Sequence, residues 1–600
     1  MAHFSEQVLI TIGSFTQNVV YYDLKLSQKM ADHHHFSFVW QYTGKAVINP
    51  ADQAKALKSY LGDEVIFTFK SLTGLRLMSK GIITELSSVD INGSAVGLHV
   101  SGVSHSIVID DMKKSRTFKE RSMDDIVLGI FAEGPGEFYQ RDSIKSTYLK
   151  EFQNLVQYNE TSFNFLKRLA TRYGQWFYFD GMRMQYGQTK NSKTILVNGA
   201  SLHSFKIQAN MVSHKVSLMG YDYNSAANIQ NAAAKTSTGS KDSFAANVNY
   251  NQATVTNAEL SNGVYTVNAQ NKDDIDEMVK LQTAGNDANS VFYSGISYFP
   301  IGLGQVFTIQ NQTVNHELVA IEVTHHSQVH GNYSCEFKAI PADVAAPHYT
   351  NVDVFAKAET QPAQVKDNND PEGLGRVKVQ FYAASGNAVS EWIRMVQPHS
   401  GAGKGFYFIP EIGEEVLVGF EGNNVQNPYI IGAQYNGQDK SGYADSQNNI
   451  KAIHTRSGHI IKFTEDESIL IADKNGNEIL LDTVGGNINI TATNTITMNA
   501  ANIVMNASEN ITNTAGVNIT ESAGADISHS SIGMISHNAG ADYLLMAKNI
   551  TKVASENYSA DAKDISRNAS GKIEAISVEE HIQNSKGKVE NLSGEKSLNA

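Results

Sequence analysis

The sequence predicts a mainly β protein built from several domains, with a few short helices in its first part. Three observations carry that reading. Strand-length runs rich in β-branched and aromatic residues recur through residues 1–350: VLITIGS, HFSFVWQY, EVIFTFKS and AVGLHVSGVSHSIVI. Five short apolar segments between turn signals crowd into residues 376–437, as in a small β-barrel. From Asn487 onward an eight-residue period replaces every other pattern.

Composition sets the bounds. Six hundred residues are too many for one domain. At 41% hydrophobic and 18% charged, the chain has the make-up of a folded, soluble protein. A net charge of −13 argues against general binding to nucleic acid or anionic membranes. Cys335 is the sole cysteine, which excludes an intramolecular disulfide and a CxxC zinc site. MAHFSEQVLITIGSF has no basic start or long apolar stretch, and no run approaches the ~18 apolar residues of a spanning helix. The expectation is a chain held in the cytoplasm unless a non-classical machine exports it.

In chain order, PADQAKALKSYLG (50–62) and DDIDEMVKLQTAG (273–285) read as short helices. QYNETSFNFLKRLATRYGQWFYFDG (157–181) reads as helix, tight turn and aromatic strand. Thr161 or Ser162 caps it, Phe163, Leu166, Ala170 and Tyr173 form one face, and Gly174 stops it. Residues 224–258, rich in Ala, Asn, Ser and Lys, read as a long surface loop, and the polar segment 351–375 as a linker. RVKVQFY, EWIRMVQP, GKGFYFIP, EEVLVGFEG and YIIGAQYNG supply the five barrel strands, and 438–484 is a transition segment.

The octads are set by isolated apolar residues: Ile488, Ile496, Ile503, Ile511, Ile519, Ile527, Ile535, Tyr543, Ile550, Tyr558, Ile565 and Ile573. Four places after each stands Ala or Ser, from Ala492 to Ser577. Eight is not a helical period, and Asn, Thr and Ser dominate, so a repeated short strand and turn fits better. Asn or Asp before the isoleucine tolerates a left-handed turn, and the small residue marks a place without room. Residues 485–600 are therefore a β-solenoid in the broad sense, too thinly apolar to fold alone, so that other copies complete its core. Beyond Ile573 the register is expected to fail, at Ile582, Val589, Leu592 and Leu598.

Several motifs invite sharper chemistry and lose to blander readings. DHHHF (32–36) has no obvious carboxylate partner and reads as surface or barrel-wall histidines. His325, His326 and His330 lie near Cys335, but no nucleophile motif accompanies them. SGAGKGF (400–406) mimics a phosphate loop, yet Pro398 and Gly405 stand where Gly and Ser or Thr belong. His529 and His537 share the second place after the stripe residue and would make stacked imidazole rings in a trimer. Glu521, Lys552 and Arg567 occupy the same place, which argues that it faces solvent. A carbohydrate-active β-helix would repeat paired acidic residues on one face, and Glu521 with Asp526 is no such pair. An adhesive fibre would carry an export signal.

The segments GRVKVQF and EWIRMVQPHSGAGKGFYFIPEIGEEVLVGFEGNNVQNPYIIGAQYN resemble the OB-fold of VgrG proteins, the trimeric spikes of type VI secretion systems. QYNETSFNFLKRLATRYGQWFYF and YSCEFKAIPADVAAP resemble that family's hub region, itself similar to the baseplate hub of contractile phage tails. The octads resemble its needle. The resemblance implies a homotrimer with a mixed β-barrel hub over 1–350, an OB-fold collar over 376–437 and a triple-stranded β-helix. It implies no enzymatic activity, catalytic residue or cofactor. Its partners would be an Hcp tube ring under the hub, a PAAR-type cone at the tip (Leu592, Leu598, Asn599 and Ala600) and effectors carried as separate proteins. Sheath contraction would drive the spike from the cytoplasm into a target cell, meeting its membrane only by puncture. The spike of an extracellular injection system or a phage tail is the alternative with the same fold.

Overall fold

The computed structural model describes residues 7–41, 50–71, 74–91, 94–136, 140–212, 216, 218–230, 240–251, 272–328, 332–382 and 388–594. The chain divides into two units, Met1–Thr493 and Asn494–Ala600.

The first half of the chain is built on a twelve-stranded sheet. Its spatial order begins Gln7–Ile12, Glu64–Lys70, Arg76–Ile91, Ser94–Ser104, His35–Trp40 and Tyr21–Lys29. It continues through Val314–Ser327, Tyr333–Pro341, Val291–Ser297 and Leu202–Ala209. Val314–Ser327 joins the two groups by pairing antiparallel with Tyr21–Lys29, Thr324 opposite Ser27. Alternate residues point into the core, as the two-residue side-chain period requires. Phe36, Phe38 and Trp40 are buried that way, and so are Val65, Phe67 and Phe69; the rings of Phe36 and Phe67 meet edge to face at 5.0 Å.

Most expected elements lie where the pattern placed them, with instructive exceptions. The strand expected through Ile109 stops at Ser104, and His105–Ile109 coils into a 3-10 turn. Arg76–Ile91, sixteen residues long, escapes the sequence reading because Ser, Lys and Glu dilute its apolar side. The helix Ser162–Arg172 is capped by Thr161, whose hydroxyl accepts from the Asn164 backbone N–H at 3.2 Å. Gly174 closes it at φ +61°, and Phe163, Leu166, Ala170 and Tyr173 are all buried.

The long loop expected over 224–258 contains structure. Met219–Asp222 and Ala227–Gln230 form a hairpin, and Ser243–Asn251 is a helix. Asp242 starts that helix by accepting from the Ala245 N–H at 3.1 Å, while its other oxygen meets His316 Nδ1 at 2.7 Å.

The segment read as linker is corrected too. Gln361–Asp367 lies inside a four-stranded sheet of order Lys378–Phe381, Gln361–Asp367, Glu415–Phe420 and Pro428–Ala433. Only Ala363 and Val365 of that strand are fully buried, so the polar residues around them hid it. EWIRMVQP contributes single bridges, Val377 to Ile393 and Met395 to Ile430, instead of a full strand. GKGFYFIP pairs only through Lys404–Gly405, in a hairpin with Ser400–Gly401, and leaves Phe406, Tyr407 and Phe408 exposed. Val156 and Tyr158 of the strand Phe152–Glu160 pack on the collar's core.

Residues 438–484, expected as a transition, hold most of a second sheet. Ile450–His454, Ile460–Thr464, Ile469–Ala472, Glu478–Asp482 and Asn487–Thr491 form a five-stranded antiparallel meander. The boundary expected at 485 falls inside it, because the first octad residue, Ile488, belongs to the last strand. We call this sheet the neck.

In the second unit, residues 494–594 carry no strand ladder among the described residues of the single chain. Backbone bends recur there instead, every seven or eight residues.

Candidate functional site: the octad shaft

The bends and the sequence period share one phase. Bends begin at residues 493, 501, 508, 516, 524, 532, 540, 548, 555, 563, 570 and 578, each five places after a stripe residue and one after its Ala or Ser. The chain therefore turns where the side chain is smallest, which is the steric requirement inferred from the octads.

Every one of the twelve stripe residues is 50–68% exposed in a single copy. Apolar residues off the phase stand further out: Val517 at 88%, Ile532 at 109% and Ile576 at 83%. In the neck strand Asn487–Thr491, Ile488 opposes Leu481 and Ile490 opposes Ile479, so the residue two after the stripe shares its side. Met498, Met505 and Leu545 continue that second row; Glu521, His529, His537, Lys552 and Arg567 make it polar further along. Its expected solvent orientation thus fails in the first octad, where strand alternation decides. The His529 ring lies 3.6 Å from Glu521, one octad earlier.

The repeat also runs further than the sequence reading allowed. Bends at 578–579, 586–587 and 594 keep the step of eight. That phase puts His581 and Val589 on the stripe and Ser585 and Ser593 at the small positions. Val589 is 51% exposed, like its predecessors, whereas Ile582 and Leu592 reach 76% and 90%. The register was misjudged because a histidine occupies a stripe position and an isoleucine sits beside it. Leu592 is a protruding residue near the end of the described chain; Leu598, Asn599 and Ala600 lie outside the described residues.

A family model of the phage tail baseplate hub matches residues 39–331, and one of the type VI secretion system and phage-baseplate injector OB domain matches 361–435. The type VI secretion system spike protein VgrG3 of Vibrio cholerae serotype O1 is 21% identical over 68% of this chain and 43% of its own length. Its counterpart VgrG1b of Pseudomonas aeruginosa is 23% identical over 74% of this chain and 63% of its own. The chain belongs to the VgrG-type spike and phage baseplate hub family. A chain of the Francisella PdpA–VgrG complex in its half-lidded form shares the fold, with a TM-score of 0.53 at 10% identity over 81% of this chain and 88% of that one.

The remaining motifs of this VgrG-type chain have structural roles. His33 hydrogen-bonds Asp110 at 3.0 Å and Ser106 at 2.8 Å and stacks on Phe163 at 3.9 Å. Asp110 is thus the carboxylate partner the sequence did not reveal, 77 residues away. Its other oxygen accepts from the Thr161 hydroxyl, tying the 3-10 turn to the helix cap. His34 is fully buried, and burial, followed by the neighbouring histidines, holds its pKa down to about 3. His325, also pushed down to about 3 by burial, meets Tyr333 at 2.7 Å and Gln28 at 3.2 Å. The Gln28 amide reaches His34 Nδ1 at 3.1 Å, so one glutamine links both rings. Burial pushes the Cys335 thiol up to about 12, which unsuits it for nucleophilic work at neutral pH. His330 lies outside the described residues. SGAGKGF closes a hairpin, not the strand-to-helix turn of a phosphate loop. Among the described residues no cluster of three or more His, Cys, Asp or Glu is placed to hold a metal, and no helix is long and apolar enough to cross a membrane.

Proposed function

We propose that this chain works as the spike of a type VI secretion machine, a homotrimer whose octad stripes face one another along a common shaft. The observation that carries the reading is the stripe itself: an apolar row in phase with the backbone bends, more than half exposed in one copy, on a segment without a ladder of its own. Three copies would pair the free backbone edges and bury the row together, giving a closed rod without hinges. In this reading the hub docks on an Hcp tube ring and the OB collar sits above it. Leu592 to Ala600 meet a PAAR-type cone, and effectors travel as bound cargo. The spike stays in the cytoplasm until firing and then enters the target cell. The work is mechanical, with no catalytic residue and no cofactor.

Light scattering on the purified full-length chain tests this first. The expected native mass is about 197 kDa, three times 65.6 kDa. A stable species at 65.6 kDa would overturn the reading. Deleting residues 592–600 should abolish cone binding and leave the trimer intact; retained binding would put the tip elsewhere. The phage-hub match over 39–331 also favours the equivalent spike of a phage tail or extracellular injection system. Neighbouring genes for an inner-membrane complex or for tail fibres separate the two.

A further inference from the structure

The neck carries a face that the single chain does not cover. Across its five strands, Ile453, Ile461, Ile471, Ile479 and Ile490 stand directly opposite one another in one unbroken row. A second row two residues away, on the same side, runs Lys451, Phe463, Ile469, Leu481 and Ile488. Nine of these ten side chains are large and apolar. The opposite face is mixed: Lys462 lies opposite Leu470, and Glu478 opposite Thr491. Over the first row, with Phe408 of the collar hairpin beside it, lies a groove of about 600 Å³. Ile453, Ile471 and Ile479 remain 40–44% exposed and Ile490 59%.

Two features name the occupant. Ile488 lies on this face and is also the first member of the octad stripe, so the row continues in sequence into the shaft without a change of side chain. The face is nearly free of charge, and a surface of isoleucines matches itself, whereas a foreign partner would need charge or pockets to read. The octads, being alike, tolerate a slip of one whole repeat between copies; the neck rows, with one lysine and one phenylalanine at fixed places, do not.

We propose that this face is where copies of the chain meet, and that it sets the common register from which the octads wind. The proposal rests on the spike reading but adds a location and an order to it. The contact is formed by the neck, and the shaft inherits its alignment.

The test uses the full-length chain carrying Ile471→Glu and Ile479→Glu. The expected result is loss of the trimer at concentrations where the unmodified chain holds it, with the hub intact, read from continued protection of buried Cys335 against thiol reagents. A variant that still sediments as an unmodified trimer, with the same melting temperature, overturns the proposal and leaves the spike reading standing. An unmodified chain that is itself monomeric overturns both. If the double variant aggregates, single cysteines decide. Ile471→Cys should react with maleimide about tenfold or more slowly than Lys462→Cys, on the other face of the adjoining strand. Equal rates overturn the proposal.

Discussion

The hub and the shaft solve the burial problem in opposite ways. In the hub each side chain has its own neighbours. Phe38, Phe67 and Phe69 are wholly buried, and even the histidines of the core are hydrogen-bonded within the chain. In the shaft no described residue of the second unit is buried in a single copy. The hub's sequence is consequently irregular, since every position has a different environment. The shaft's sequence is repetitive, since every position meets the same one. A chain can thus be read for what it needs from others: heterogeneity marks a self-sufficient core, and a thin, strict period marks a shared one.

The largest test of that contrast is Ile519→Asp in the middle of the stripe. If three copies share the core, one substitution places three unpaired carboxylates there, each costing about 3–5 kcal/mol. The expected outcome is dissociation at micromolar concentration, seen as a drop in native mass, while the hub's own melting transition stays put. An unaffected trimer would show that the stripe faces solvent.

Phe67→Ala is the hub's counterpart. Removing a fully buried ring should lower hub stability by about 3–5 kcal/mol. Because that core belongs to one chain, the loss should not depend on protein concentration. A concentration-dependent hub transition would mean that the hub also relies on its copies.

Acid sharpens the comparison further. His34 and His325 have folded pKa values near 3, below the ordinary 6.5. Unfolded chains therefore bind protons that the folded hub refuses, and stability falls as pH drops below about 6.5. The two groups together should remove about 2 kcal/mol between pH 6 and 5. Hub melting followed across that range measures it, and replacing His325 with Phe should flatten the slope. A hub whose melting ignores pH in this window would contradict the burial of both rings as neutral groups.

How legible all this was follows from the same contrast. The octads were read almost completely, because a repeat announces its own register; only His581, an exception inside the period, concealed its continuation. The helix at 162–172 was equally clear, since its cap, stripe and terminal glycine are all local signals. What escaped depended on distant partners. Gln361–Asp367 is a strand because Lys378–Phe381 and Glu415–Phe420 flank it, and nothing in its own polar sequence says so. His33 found Asp110 through a fold that brings residues 77 positions apart into contact. The apolar face of the neck needed the register of four hairpins before its isoleucines could be seen to line up.

The smallest prediction concerns the point where sequence and backbone disagree. The bend at 586–587 assigns the stripe position to His581, with Ser585 as its small residue. Polar histidine is a poor filling for a row otherwise made of isoleucine and tyrosine, so His581→Ile should lengthen the apolar core by one rung. Since burial of one aliphatic side chain contributes about 1.5–3 kcal/mol and the site lies near the end, where fraying limits the gain, an increase of about 1 kcal/mol per copy is expected. The neighbouring substitution supplies the control. Ile582→Ser, at a side chain 76% exposed, should leave the melting temperature of the assembled shaft unchanged. If the two effects were exchanged, the register would indeed break after Ile573, and the last two octads would be a tail instead of a shaft.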